Sequence, residues 1–269
     1  VRILESRLTP AICTISAHHY KARPPRLSAQ RSMDGLVTIE PMAQEFGWKA
    51  HGENIAENLN AGFKIYYTTD GSQPDTASLI YTEPLIIRED TKLKAVIVTT
   101  EDTSVFEEHI HVNKATFKPS WLANAPHENY TFNGVSTLTD GLQGNQNYNT
   151  GRWLGFLKDM DLTIDLQKST PVSSVSLTVN VSKGAAVMDA TGLEVWCSED
   201  GKEYRKLASA SYPVLDKEDK DGIYPHTLSF SVVETRYVRI IARVTPKLPA
   251  WHMWPGNPAF LFVDEVCVK

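Results

Sequence analysis

Residues 138–166, LTDGLQGNQNYNTGRWLGFLKDMDLTIDL, decide how the 269-residue chain is read. The stretch opens in a Thr-Asp-Gly turn and runs through a loop rich in Gly, Asn and Gln that carries Tyr148, Arg152, Trp153 and Phe156. It closes in Met160 to Leu166, where apolar residues alternate with polar ones as in a half-buried strand. Asn and Gly favour turns over packing, so such a loop cannot form a core of its own. An ion, a ligand or neighbouring loops must hold it against the β scaffold that follows.

Around this stretch the bulk composition is ordinary: 42% hydrophobic and 22% charged residues, in a chain long enough for two domains with a core each. A net charge of -5 and the lack of Lys/Arg clusters argue against a nucleic-acid partner, because non-specific affinity comes from neutralised phosphates. No apolar run is long enough to span a bilayer. The N-terminal VRILESR has neither an initiator Met nor the basic and apolar regions of a signal peptide, so we expect a piece of a longer protein. Cys13, Cys197 and Cys267 lack CxxC spacing and make neither a disulfide framework nor a zinc site. Cys197 and Cys267 read as thiols packed in apolar strands rather than as a bridge.

Residues 1–23 are irregular and are expected to be a connector from an upstream domain. Pro24-Pro25 then punctuates the chain, and residues 45–61 read as a long polar loop. LVTIEP (36–41), FKIYYTT before the Asp70-Gly71 turn, LIYTEPLIIRED (79–90), TKLKAVIVTT (91–100) and FEEHIHVNKATF (106–117) each have strand composition and turn-like flanks. Residues 24–117 are therefore expected to form a small all-β sandwich. Lys118-Pro119-Ser120 marks a boundary. Beyond it come strand candidates at 160–166, 172–181, 193–198, 202–208, 227–233, 237–244 and 260–268, with hairpin signals at Asp200-Gly201 and Asp221-Gly222. That count, with long loops before and after the strands, suits a jelly-roll sandwich over 118–269.

Two motif sets add a resemblance. The strand–TDGSxP turn–SxxY–TxLKA pattern over Tyr67 to Ala95 resembles the chitobiase/β-hexosaminidase C-terminal domain. The Thr139–Gly141 turn, Gly-Arg-Trp, the IDL strand, LEVWCSEDGKEY, RYVRIIA and FVDEVCV resemble a discoidin domain of the factor V/VIII type C and family 32 carbohydrate-binding-module group. The resemblance implies a fibronectin III/immunoglobulin-like sandwich followed by a galactose-binding-like (discoidin) jelly roll. It also implies the non-catalytic tail of a bacterial glycoside hydrolase, a family 20 β-N-acetylhexosaminidase or a family 29 α-L-fucosidase. Such a tail works in the periplasm or outside the cell, beside a catalytic domain missing from this sequence.

Catalysis within the chain finds no support in the residues. A glycosidase needs two carboxylates facing one another, and Asp264-Glu265 are neighbours in a strand that points them to opposite faces. No GxSxG elbow is present. His109 and His111 share a strand face and could bind a metal, but the sequence shows no third ligand, and His18-His19 have no partner at ligand spacing.

Binding without chemistry asks for aromatic faces that stack on a pyranose and for fixed polar groups that meet its hydroxyls. Arg152, Trp153, Tyr148, Trp251, His252, Trp254 and Asn257 are the candidates, with Trp121 beside them, for glycans containing galactose or N-acetylhexosamine. A second reading stays open: Trp153 plugs the jelly roll and the Trp251–Pro258 loop packs on the first domain, both modules serving only to brace and shape a catalytic barrel. The discoidin resemblance also implies a structural calcium, with Asp140 and Glu265 as side-chain ligands and backbone oxygens around Leu138 and Asn145 completing the shell.

Overall fold

The computed structural model describes residues 27–41, 64–98 and 103–269. The expected connector over 1–23 and the expected loop over 45–61 lie outside the described residues, as do Cys13, His18, His19 and Trp48.

The first half contains β1 (Leu27–Arg31), β2 (Leu36–Pro41), β3 (Ile65–Thr68), β4 (Leu79–Ile80), β5 (Leu85–Ile86), β6 (Thr91–Val98) and β7 (Thr103–Ile110). They make two sheets, β1-β2-β5 and β4-β3-β6-β7. Alternation decides what each buries: Leu27, Ala29, Val37 and Ile39 come from one sheet, and Leu93, Ala95, Ile97 and Ile110 come from the other. Two details correct the expectation. LIYTEPLIIRED is not one strand, because Pro84 has no N–H to donate and the chain crosses between sheets there, so β4 and β5 pair with different partners. FEEHIHVNKATF stops being strand after Ile110, leaving His111 in the connection.

The second half holds β8 (Ser120–Leu122), β9 (Leu154–Phe156), β10 (Met160–Val181), β11 (Gly192–Ser198), β12 (Arg205–Ser211), β13 (Gly222–Arg243) and β14 (Leu261–Val268). Their order is β12-β11-β13-β10-β14-β9, with β8 on β10. What the sequence presents as four strands, 160–166 with 172–181 and 227–233 with 237–244, is two strands of 22 residues each. Register shifts between Asp165 and Thr170 and between Val172 and Ser174 mark irregular pairing along their shared ladder. Gln167 takes a φ of 70° there. The stretch of β10 before these shifts pairs with β8 and the later part of β13, and the stretch after them pairs with β14 and the earlier part of β13. One hydrogen-bonded ribbon thus supplies both layers of the sandwich. Met160, Leu162 and Ile164 meet Val175, Leu177, Val179, Val238, Ile240, Leu261 and Val263 in its core. The expected hairpin at Asp200-Gly201 forms, but Asp221-Gly222 only opens β13 after a loop, with Asp221 Oδ1 accepting from the Lys183 N–H at 3.0 Å.

The two halves interlock. Leu142, from the Gly/Asn-rich loop, completes the core of the first sandwich, and Ala115, from the connection after β7, sits in the core of the second. The His111 N–H donates to the Gly141 carbonyl at 2.8 Å, and Ile110 forms a β-bridge with Leu142.

Candidate functional site

The Thr139–Asp140–Gly141 turn lies at this joint. Gly141 has a φ of +79°, and a Cβ there would overlap the His111 carbonyl oxygen, so only glycine lets the turn seat on the first domain. Asp140 Oδ1 accepts from the Leu142 N–H at 2.9 Å. Glu265, at the far end of the chain on β14, accepts from the Gly141 N–H at 2.9 Å and from Asn113 Nδ2 at 3.2 Å. Its neighbour Asp264 accepts from the Gly144 N–H at 2.9 Å and from the Thr178 hydroxyl. Asp264 and Glu265 therefore both serve the same loop, although they are adjacent in a strand.

Three carboxylates are buried here, and none of the ion pairs among the described residues includes any of them. Burial pushes Asp140 up to about 7 and Asp264 up to about 6. Burial also raises Glu265 well above the usual carboxylate range, and the Asp140 charge adds to the effect. The Leu142 N–H and the charges of Arg152 and then Arg31 offset part of this for Asp140, and Arg31 Nη1 donates to the Asp140 backbone carbonyl at 2.8 Å and its Nη2 to the Ile87 carbonyl at 2.8 Å. Arg31 is itself lowered by burial, against the pull of Asp140 and Glu265. The buried hydroxyls of Thr137 and Thr139 have no hydrogen-bond partner. Carboxylate and hydroxyl oxygens in deficit of positive charge fit a hard cation such as calcium. Of the other expected ligands, Leu138 is fully buried beside the turn. The Asn145 carbonyl already accepts from Trp153 Nε1 at 2.9 Å and Asn180 Nδ2 at 3.2 Å. Those two donors engage the Asn145 carbonyl in this structure.

The sequence-derived sugar contacts divide into three groups. Trp153 is fully buried against Val187 and Phe262, with Gly144 pressed to its indole, so it is a core plug and not a stacking platform. Tyr148 packs half-buried on the same cluster, 5.0 Å from the Phe262 ring centroid. Arg152 turns toward the first domain, donating to the Ala29 carbonyl at 2.5 Å and pairing with Glu108 at 3.1 Å. That pair is largely covered, and burial raises Glu108 despite the Arg152 charge. Arg152 and Trp153 are thus corrected from sugar contacts to structural residues.

Trp251, His252, Trp254 and Asn257 stay together in one loop. Its neck is closed by Leu248 N–H to the Asn257 carbonyl at 2.8 Å and by Gly256 N–H to the Leu248 carbonyl at 2.9 Å. His252 is buried, and its Nδ1 accepts from the Trp254 N–H at 3.0 Å. The other ring nitrogen, Nε2, then carries the proton and donates to the Lys183 carbonyl at 2.7 Å. Trp251 is half-buried, with Lys183 Nζ 5.6 Å from its ring centroid. Trp254 is left 46% exposed and Met253 69% exposed on top of this support. The sequence does not single out Lys183, whose ammonium also donates to the Lys217 carbonyl at 2.7 Å and so ties two further loops to the tip. Trp121, on β8, is 47% exposed and meets Tyr237 edge-on.

A family model described as F5/8 type C domain matches residues 115–258, and one described as Fn3 associated matches residues 55–110. No curated protein matches the chain. Among solved structures, chitosan-binding module 1 from the chitosanase/glucanase of Paenibacillus sp. IK-5 is 16% identical, covering 59% of this chain and 99% of its own, with a TM-score of 0.39. CpGH89CBM32-5 from Clostridium perfringens, in complex with GalNAc-beta-1,3-galactose, is 18% identical over 56% of this chain and 93% of its own, with a TM-score of 0.37. A Ruminococcus gnavus GH29 fucosidase is 13% identical over 59% of this chain but only 26% of its own, with a TM-score of 0.38.

Proposed function

The chain belongs to the F5/8 type C domain family, and from that premise we propose that it is a non-catalytic, glycan-binding region whose platform is the loop from Leu248 to Asn257. The observation that carries this reading is Trp254, a half-exposed residue whose backbone N–H is held by the buried His252 and whose indole centroid lies 5.5 Å from the imidazole. Rigid support lowers the ordering cost of binding, and an exposed indole face is what the apolar side of a pyranose stacks on. Asn257, exposed at the neck, supplies donors and an acceptor for sugar hydroxyls. Galactose- or N-acetylhexosamine-containing glycans are the proposed ligands. The first sandwich, matched as Fn3 associated, serves as spacer and brace in a periplasmic or extracellular glycoside hydrolase of the β-N-acetylhexosaminidase or α-L-fucosidase kind. Among the described residues no helix is long and apolar enough to cross a membrane.

A calcium ion would be held by the side chains of Asp140 and Glu265, and it would supply the positive charge that lets both stay ionised while buried. It would fix the Thr-Asp-Gly turn and take no part in sugar contact. The braced-barrel alternative draws on the corrected roles of Arg152 and Trp153, but it leaves the exposure of Trp254 without a use. Titration against a glycan array separates the two. Binding to at least one such glycan, weakened about tenfold or more, or roughly 1.4 kcal/mol, by Trp254→Ala at unchanged melting temperature, supports the platform. Glycan binding that ignores both Trp254→Ala and Trp251→Ala would sink it.

A further inference from the structure

His109, near the end of β7, and His111, just beyond it, stand with ring centroids 4.0 Å apart and planes tilted by 42°. Asp90, in the turn before β6, brings a carboxylate to the same place, and one ligand atom from each of the three lies within 4.8 Å of the others. We propose that Asp90, His109 and His111 form a binding site for a borderline divalent transition metal such as zinc, placed at the edge of the joint between the two domains.

The chemistry selects the ion. Two imidazoles with one carboxylate suit zinc, nickel or copper, whereas calcium and magnesium prefer all-oxygen shells. A tetrahedral site with bonds of about 2.0–2.1 Å sets ligand atoms roughly 3.3 Å apart, so side-chain rotations of about an ångström close the triad on an ion. Asp90 and His109 are exposed, and their exposure gives the ion a way in. A fourth position remains for water.

The support around the ligands is already built. Asp90 Oδ1 accepts from the Val112 N–H at 2.5 Å, which ties the turn to the segment carrying His111. The Gln143 side chain hydrogen-bonds the His111 side chain, the kind of outer partner that metal-bound histidines have. His111 is also anchored through its backbone, N–H to the Gly141 carbonyl and carbonyl to Arg31 Nη1. An ion here would therefore staple the β6 turn to the loop that carries Asp140. The opposing charges are Lys92, the cross-strand partner of His109, and Lys269, and Asp90 offsets one of them.

The test is zinc titration of the chelator-stripped full chain by calorimetry, with the melting temperature followed in parallel. Copper bound in place of zinc reports its nitrogen ligands by electron paramagnetic resonance. Expected are a saturable site that raises the melting temperature, a signature of two nitrogens, and affinity weakened about tenfold or more in both His109→Ala and Asp90→Asn. Both replaced side chains are exposed, so both variants fold, which circular dichroism verifies. Zinc affinity and copper spectra unchanged in the two variants would overturn the site, as would full displacement of zinc by calcium.

Discussion

The joint around Asp140 and the tip around Trp254 are built from opposite materials. At the joint, charged groups are buried and bonded to residues far off in the chain: Arg31 reaches Asp140 across 109 positions and Asn113 reaches Glu265 across 152. At the tip, an apolar ring is exposed on a residue whose backbone N–H is held by His252, two positions away. A polar group accepts burial only with partners, so the joint stands as a whole network; an exposed ring needs only a rigid base. The contrast fits a stabilising role for the first region and the proposed recognition role for the second.

Tryptophan replacements test that division most strongly. Trp153→Ala removes the largest fully buried side chain among the described residues and is expected to cost about 3–5 kcal/mol of stability, read as a large fall in melting temperature. Trp254→Ala removes an indole of the same size and should stay within about 0.5 kcal/mol of wild type. Equal stability losses from the two would end the distinction between core plug and platform.

Next in size is the response of the joint to pH. An acid raised by folding favours the folded chain in its neutral form, so its contribution is present below its unfolded value and is lost as pH rises through the folded one. For Asp140 that window runs from 3.8 to about 7, with Asp264 ending near 6. Chelator-treated protein should therefore lose melting temperature between pH 4 and 7, by an amount worth a few kcal/mol. Calcium should restore it at pH 8, and Asp140→Asn should make the profile shallower, leaving the part due to Asp264 and Glu265, and abolish the calcium response. A wild-type melt at pH 8 that is indifferent to chelator and calcium alike would count against an ion at the turn, while glycan affinity at the tip stays the same throughout.

The joint and the tip were not equally readable from sequence, and locality is the reason. Alternation identified the strands, and the all-β, two-sandwich class followed from it. The same alternation could not reveal that Met160–Val181 is continuous, because Gln167 and Pro171 look like breaks where the paired strands only shift register. Trp251, His252, Trp254 and Asn257 are neighbours in the chain, so their grouping is legible in the sequence. Trp153 also stands in a loop stretch with Gly and Asn nearby, and nothing local shows that Gly144 folds against its indole. Asp140 and Glu265 were paired only through family resemblance. Arg31, Glu108 and Asp90 gave no signal, since each acquires its role from a strand or turn that folding alone brings near.

The smallest expected effect probes the base of the tip. His252 touches no sugar in the proposed arrangement; it positions Trp254 by accepting its N–H while donating to the Lys183 carbonyl. His252→Ala deletes both bonds and leaves the loop closed only at its neck, where Leu248, Gly256 and Asn257 remain paired. Glycan affinity should fall severalfold, about 0.5–1 kcal/mol, less than for Trp254→Ala, because the indole survives but must be ordered on binding. A purely structural role would lower stability without touching exchange in one loop alone. Backbone hydrogen exchange should therefore accelerate at residues 252–257 and hold steady at 138–145. Acceleration spread equally over both regions would mean that the tip and the joint form one cooperative unit, and that recognition cannot be tuned apart from the fold.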